Sequence, residues 1–296
     1  HELIDKVEQT FHSRNKKVVV IINAGGVIEV ASWRNKVDAI LLAWQPGLEA
    51  GNAVVDVLNG KTNPSGKLAE TFPMKYDDVA SAKTFPGKSF PEKAVVGEFG
   101  MKKIPGEVIY EDGIYVGYRY YNSFHVQPAY EFGYGLSYTS FSYSPIKLSS
   151  TTLSKTLQAS VTVINTGKTA GKEIVQVYVS APKDRLDKPE DELKAFAKTG
   201  LLQPGQSQTM QFTLSVPDLA SYNTSLSAWV ADAGTYKIKI GSSSTHILQS
   251  SDFSLPKTVV TEKCHKVLQP VAPINELKNL ASEQTRTISD TGRTGK

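Results

Sequence analysis

The 296 residues include a single cysteine, Cys264, so no disulfide can form within the chain. That scarcity leaves export open, because larger exported domains fold without bridges. The five histidines (1, 12, 125, 246 and 265) show no ligand spacing, and no metal site is expected. Long apolar runs are missing as well. The longest, Lys17-Val-Val-Val-Ile-Ile-Asn23 and Asp38-Ala-Ile-Leu-Leu-Ala-Trp44, have strand length and fall far short of a membrane span. No phosphate loop is present, and Ala24-Gly25-Gly26 lacks the third glycine of a dinucleotide fold. Gly133-Tyr-Gly-Leu-Ser137 is not a nucleophile elbow, which needs serine between its glycines. No signal peptide is visible and the first residue is His1 rather than Met, so the chain is expected to be a fragment.

A large excess of either charge is missing too. The net charge is +4, but seven Lys or Arg and only four Asp or Glu lie from Lys257 onward. The rest is close to neutral, which argues against a nucleic-acid footprint. Hydrophobic residues make up 40% and charged residues 21%, the balance of a globular protein with a sizeable core.

What is present falls into four parts, giving a fold class of α/β plus all-β. In residues 1–75, Ile4, Val7 and Phe11 share one helical face over Glu2–Phe11. Val18–Ile22 follows as a continuous apolar run, typical of a strand buried on both faces. A second run, Ala39–Trp44, stops at Pro46-Gly47, and Leu48–Leu58 reads as a helix with Gly60 as its left-handed C-cap. Strand, helix, strand, helix is a parallel α/β pattern, here only half of a domain. Residues 76–138 lose periodicity under Pro86, Gly87, Pro91, Gly97, Gly100, Pro105 and Gly106 and read as a wrapping connector. Its aromatics, Tyr110, Tyr115, Tyr118, Tyr120, Tyr121 and Phe124, fit either packing at a domain junction or a sugar-stacking platform.

Residues 139–255 change to short alternating strands. Phe141–Leu148, Leu157–Ile164, Ile174–Val179, Thr209–Leu214, Ala228–Val230, Tyr236–Ile240 and Ile247–Phe253 are separated by turn residues. About seven such strands in roughly a hundred residues predict an immunoglobulin-like β-sandwich. Among the turns, Asn165-Thr-Gly167 is expected to use glycine for a positive φ. Residues 256–296 read as an extended or disordered tail. Asn223-Thr-Ser225 is a glycosylation sequon, of a kind that arises by chance in a chain this long.

Six blocks, in order, carry a resemblance. They are Asn23-Ala-Gly-Gly-Val-Ile-Glu29, Val37–Ala53, Val57–Leu68 with Thr71-Phe-Pro73, Tyr110–Tyr121, Glu131–Thr139 and Asn165–Tyr178. Together they resemble the C-terminal part of family 3 glycoside hydrolases of the β-glucosidase type. The resemblance implies a partial parallel α/β sandwich followed by a fibronectin type III-like β-sandwich. It implies a parent that is a retaining, exo-acting β-glucosidase or β-xylosidase acting on oligosaccharides or aryl β-glycosides, without a cofactor. The nucleophile is then an Asp on an N-terminal (β/α)8 barrel and the acid/base a Glu on a loop preceding the helix that matches Glu2–Phe11. Both fall upstream of His1, so no catalytic residue is assigned to this chain and the chain alone is expected to be inactive. A periplasmic or secreted location is expected for the parent.

Asn23, Gly25 and Glu29 are the candidate substrate-proximal residues, because ligands gather at the carboxyl ends of parallel strands. The same segment also reads as a plain structural turn. Glu49 is a carboxylate of the right type for glycoside hydrolysis, and equally a favourable charge at a helix start. A non-catalytic carbohydrate-binding or adhesion module is the alternative, since immunoglobulin-like folds host many functions.

Overall fold

The computed structural model describes residues 1–267, 270 and 272–279. The chain opens with helix α1 (Glu2–His12), strand β1 (Val19–Ile22), strand β2 (Ala39–Leu42) and helix α2 (Ala50–Leu58). β1 and β2 pair in parallel, Val19 opposite Ala39 and Ile22 opposite Leu42. Ile22, Val30, Trp33, Phe72 and Ala129 form a small core beneath them. Gly60 has φ +79°, the left-handed cap its position predicts. The reading of Val18–Ile22 as a strand buried on both faces needs correction. Val18 and Ile22 are buried, but Val19 and Ile21 are more than 40% exposed. With Val19 and Ile21 this exposed, the face they share on the two-stranded sheet is left largely uncovered by the described residues.

The connector carries two small hairpins. β3 (Lys88–Ser89) pairs with β6 (Gly106–Glu107), and β4 (Val95–Val96) pairs with β5 (Lys102–Lys103). It ends in the short helix α3 (Tyr118–Ser123). Eleven further strands follow: β7 (Phe141–Tyr143), β8 (Lys147–Leu148), β9 (Thr156–Asn165), β10 (Ile174–Ser180), β11 (Glu192–Lys198), β12 (Ser207–Ser215), β13 (Ser221–Asn223), β14 (Ala228–Ala231), β15 (Gly234–Gly241), β16 (Ile247–Leu255) and β17 (Val259–Lys263). One sheet has the order β11-β10-β15-β16 and the facing sheet β12-β9-β7, with β8 also on β9.

Strict alternation makes this core. Along β9, Leu157, Ala159, Val161 and Val163 point inward while their neighbours face out. Val175, Val177 and Val179 of β10 meet them, with Phe212, Leu214, Tyr236, Ile238 and Ile240 completing the filling. β10 is buried on its second face as well, because the connector lies across it. The Tyr118 ring sits 5.8 Å from that of Tyr178, and a Cβ on Gly133 would come 2.8 Å from Gln176 Cδ.

Two turn and tail readings change. Gly167 does not have the expected positive φ; instead a Cβ there would lie 2.8 Å from the Ser140 amide nitrogen, so close approach is what excludes a side chain. Within the segment read as a tail, β17 pairs with β14 to form a β13-β14-β17 sheet. Further on, the Leu277 amide donates to Glu111 O at 2.7 Å and Asn279 Nδ2 donates to Ser123 O at 3.0 Å. Residues 280–296 of that tail reading lie outside the described residues.

Candidate functional site

The carboxyl ends of β1 and β2 release two loops that touch. A Cβ on Gly25 would stand 2.9 Å from Gln45 Nε2, so a larger residue would push the second loop away. Asn23 is exposed just beyond β1. Glu29 is exposed too, but its carboxylate is occupied. Oε1 accepts from the Ser32 amide at 2.7 Å, Oε2 accepts from Ser32 Oγ at 2.8 Å, and His1 Nε2 lies 3.6 Å from Oε2. Trp33 Nε1 donates to the Glu29 carbonyl at 3.0 Å. Glu29 thus pins the loop as it turns back toward β2.

Behind that loop lies an open cleft of about 640 Å³. Val27, Ile28 and Glu29 form one side, and the connector aromatics Tyr115, Tyr118 and Tyr121 line it as well. Tyr115 and Tyr121 are buried. Aromatic contacts fix this surface: Tyr118 against Phe132 at 4.9 Å and Tyr115 edge-on to Phe124 at 4.9 Å. Tyr115 is also held by its hydroxyl, which donates to Asp187 Oδ1 at 2.6 Å. Most of the aromatic group therefore packs at the junction, while Tyr110 stands exposed.

The cleft is mainly apolar yet contains uncommitted polar atoms. Tyr121 Oη and Thr71 Oγ1 are buried without a hydrogen-bond partner among the described residues. Burial pushes the Tyr121 hydroxyl up to about 12, with the Asp78 charge adding to the rise, so it stays a neutral donor. Glu70 and Asp112 contribute carboxylates to the lining. An apolar, aromatic wall with a few convergent polar groups is the general form of a small-molecule site.

Glu49 lies away from this lining. It occupies the N-cap position of α2 without a side-chain capping bond, and its Oε2 accepts from Asn52 Nδ2 at 2.6 Å. Sequence reasoning missed Glu70, Thr71 and Asp112. Thr71 belongs to one resembling block and Asp112 to another, which was the available signal.

Residues 1–138 match the glycosyl hydrolase family 3 C-terminal domain, and residues 173–244 match the fibronectin type III-like domain. The chain belongs to glycosyl hydrolase family 3. Within the family, thermostable β-glucosidase B of Acetivibrio thermocellus is 39% identical over 259 residues, covering 87% of this chain and 32% of that protein. β-Glucosidase 3B from Thermotoga neapolitana, solved in complex with α-D-glucose, is 48% identical with a TM-score of 0.79. That match covers 88% of this chain and 34% of the Thermotoga chain. The Kluyveromyces marxianus β-glucosidase, solved with glucose, is 33% identical with a TM-score of 0.76 over 89% of this chain and 30% of that one. The chain spans about a third of the length of these relatives.

Proposed function

We propose that these residues form one wall of the active site of a longer retaining, exo-acting β-glycosidase that releases a β-linked glucose or xylose. The observation that carries this reading is the cleft behind the Asn23–Glu29 loop, with the unpartnered hydroxyls of Tyr121 and Thr71 set in an aromatic surface. A sugar ring presents apolar C–H faces and a rim of hydroxyls, and this surface complements both. Asn23 would meet substrate directly. Gly25 would let the β1 and β2 loops close on each other, and Glu29 would hold the loop through Ser32. Retention needs two carboxylates about 5–5.5 Å apart, one attacking the anomeric carbon and one protonating the leaving oxygen. In this reading both come from polypeptide outside these residues, the nucleophile from a (β/α)8 barrel, and the parent works outside the cytoplasm.

The test is an aryl β-glucoside and aryl β-xyloside assay on this chain and on a longer natural form that includes the barrel. Turnover is expected only from the longer form. In that form Tyr121→Phe should raise KM severalfold. Turnover by these 296 residues alone, surviving repurification, would overturn the assignment.

A further inference from the structure

A second groove, of about 550 Å³, lies where the end of the connector meets the sandwich, and it shares no lining residue with the cleft. Its volume is within the range of about 300–1,000 Å³ typical of small-molecule sites. Four charged side chains line it, Glu131 and Glu173 against Lys67 and Lys172, so the charges match in number. Such a groove does not select a strongly charged ligand.

Its polar groups are only half used. Glu173 is 8% exposed. Its Oε1 accepts from the Ile174 amide at 2.7 Å and faces Lys67 Nζ at 3.1 Å, which leaves Oε2 without a hydrogen bond among the described residues. Glu131 Oε1 accepts from Ser243 Oγ at 2.7 Å, again leaving Oε2 without a hydrogen bond among the described residues. The Tyr143 hydroxyl is buried with no partner among the described residues. Burial, aided by the nearby Glu173 charge, pushes its pKa upward and keeps it a neutral donor. An orphaned buried hydroxyl costs stability and calls for an explanation. Phe141 and Tyr134 add aromatic surface to the same lining.

We propose that this groove binds one neutral pyranose unit of a saccharide, with Glu131 and Glu173 accepting from sugar hydroxyls and Tyr143 donating to the ring's oxygens. Paired carboxylate acceptors suit adjacent hydroxyls, and charge-assisted bonds are the stronger kind. The inference stands on this groove alone and goes beyond the proposed function; the hydrolysis assay above does not test it.

The experiment is an amide chemical-shift titration of the full chain with methyl β-D-glucoside, with xylobiose, and with glycerol as a generic polyol. The two sugars distinguish a single terminal ring from a longer saccharide. Saturable shifts are expected at Gly135, Lys172, Ser243 and Thr245. Tyr143→Phe breaks no existing bond, so the thermal midpoint should hold or rise while affinity drops about fivefold or more, the loss of one buried donor. Glu131→Gln, which keeps the shape, should weaken binding in the same way. The proposal is overturned if no shift saturates by about 50 mM, beyond the weak end of specific binding. It is equally overturned if glycerol matches the sugars, or if Tyr143→Phe leaves affinity unchanged.

Discussion

Lys188 Nζ lies 2.7 Å from Asp232 Oδ2, and the two side chains are 1% and 4% exposed. Lys188 also donates to the Pro182 carbonyl at 2.9 Å, so one ammonium ties the β10–β11 loop to the turn before β15. Removing a single partner strands a charge in the interior. Lys188→Ala is expected to lower stability by about 3–5 kcal/mol, read from urea unfolding, whereas a well-packed apolar replacement of both residues should cost far less. Equal losses from the single and double variants would contradict this account.

A pH-dependent clasp joins α1 to β2. His12 Nδ1 lies 2.9 Å from Glu8 Oε1 and its Nε2 lies 2.8 Å from Asp38 Oδ2, while Lys17 Nζ sits 2.7 Å from Asp38 Oδ1. The bonds to Asp38 and then Glu8 raise the His12 pKa above its ordinary value. The Lys17 bond, with the Val18 amide and His12, holds the Asp38 carboxyl far below the usual range. A raised histidine stabilises fully below its unfolded pKa, about 6.5, and that contribution is lost as pH rises through the folded value. A depressed Asp acts in the opposite sense, its contribution fading only in strong acid. Protection of the α1 amides, corrected for intrinsic base-catalysed exchange, should therefore fall as pH rises above about 6.5, and His12→Asn should flatten that dependence.

Gly133 has φ +81° and faces Gln176, which is 3% exposed and donates from Nε2 to Ser242 O at 2.7 Å. Gly133→Ala combines backbone strain with a clash against a side chain already bonded on several sides. A loss of about 2–4 kcal/mol is expected, seen as a lower thermal midpoint.

The sandwich should fold when expressed alone, and residues 139–263 should outlast 139–255. The longer piece keeps β17 on β14, where Ala228 faces Lys263 and Ala231 faces Val259. Residues 1–75 should show no cooperative melt, because a two-stranded sheet with exposed Val19 and Ile21 leaves edge and face unpaired. Circular dichroism on the three pieces distinguishes these outcomes.

The sequence alone determined the sandwich core and the α/β beginning, because period-2 burial along Leu157–Ile164 and continuous apolar runs are local signals. It missed β11, where Glu192-Leu-Lys-Ala-Phe-Ala-Lys198 mixes charge with exposed Phe196 at a sheet edge. It missed β17 because a polar strand on a small sheet is set by its partner rather than by its own pattern. The six blocks pointed to the family, and the carboxyl end of a parallel strand made Asn23, Gly25 and Glu29 the candidate residues. Only tertiary structure brought the loop at Glu29 against Tyr121, Thr71, Glu70 and Asp112, which lie 41 or more positions further along the chain. It also decided that Gly167 is needed for close packing rather than for its φ. Periodicity reports which side of an element faces a core; which distant side chains meet across a cleft depends on how the elements dock, and no local pattern encodes that.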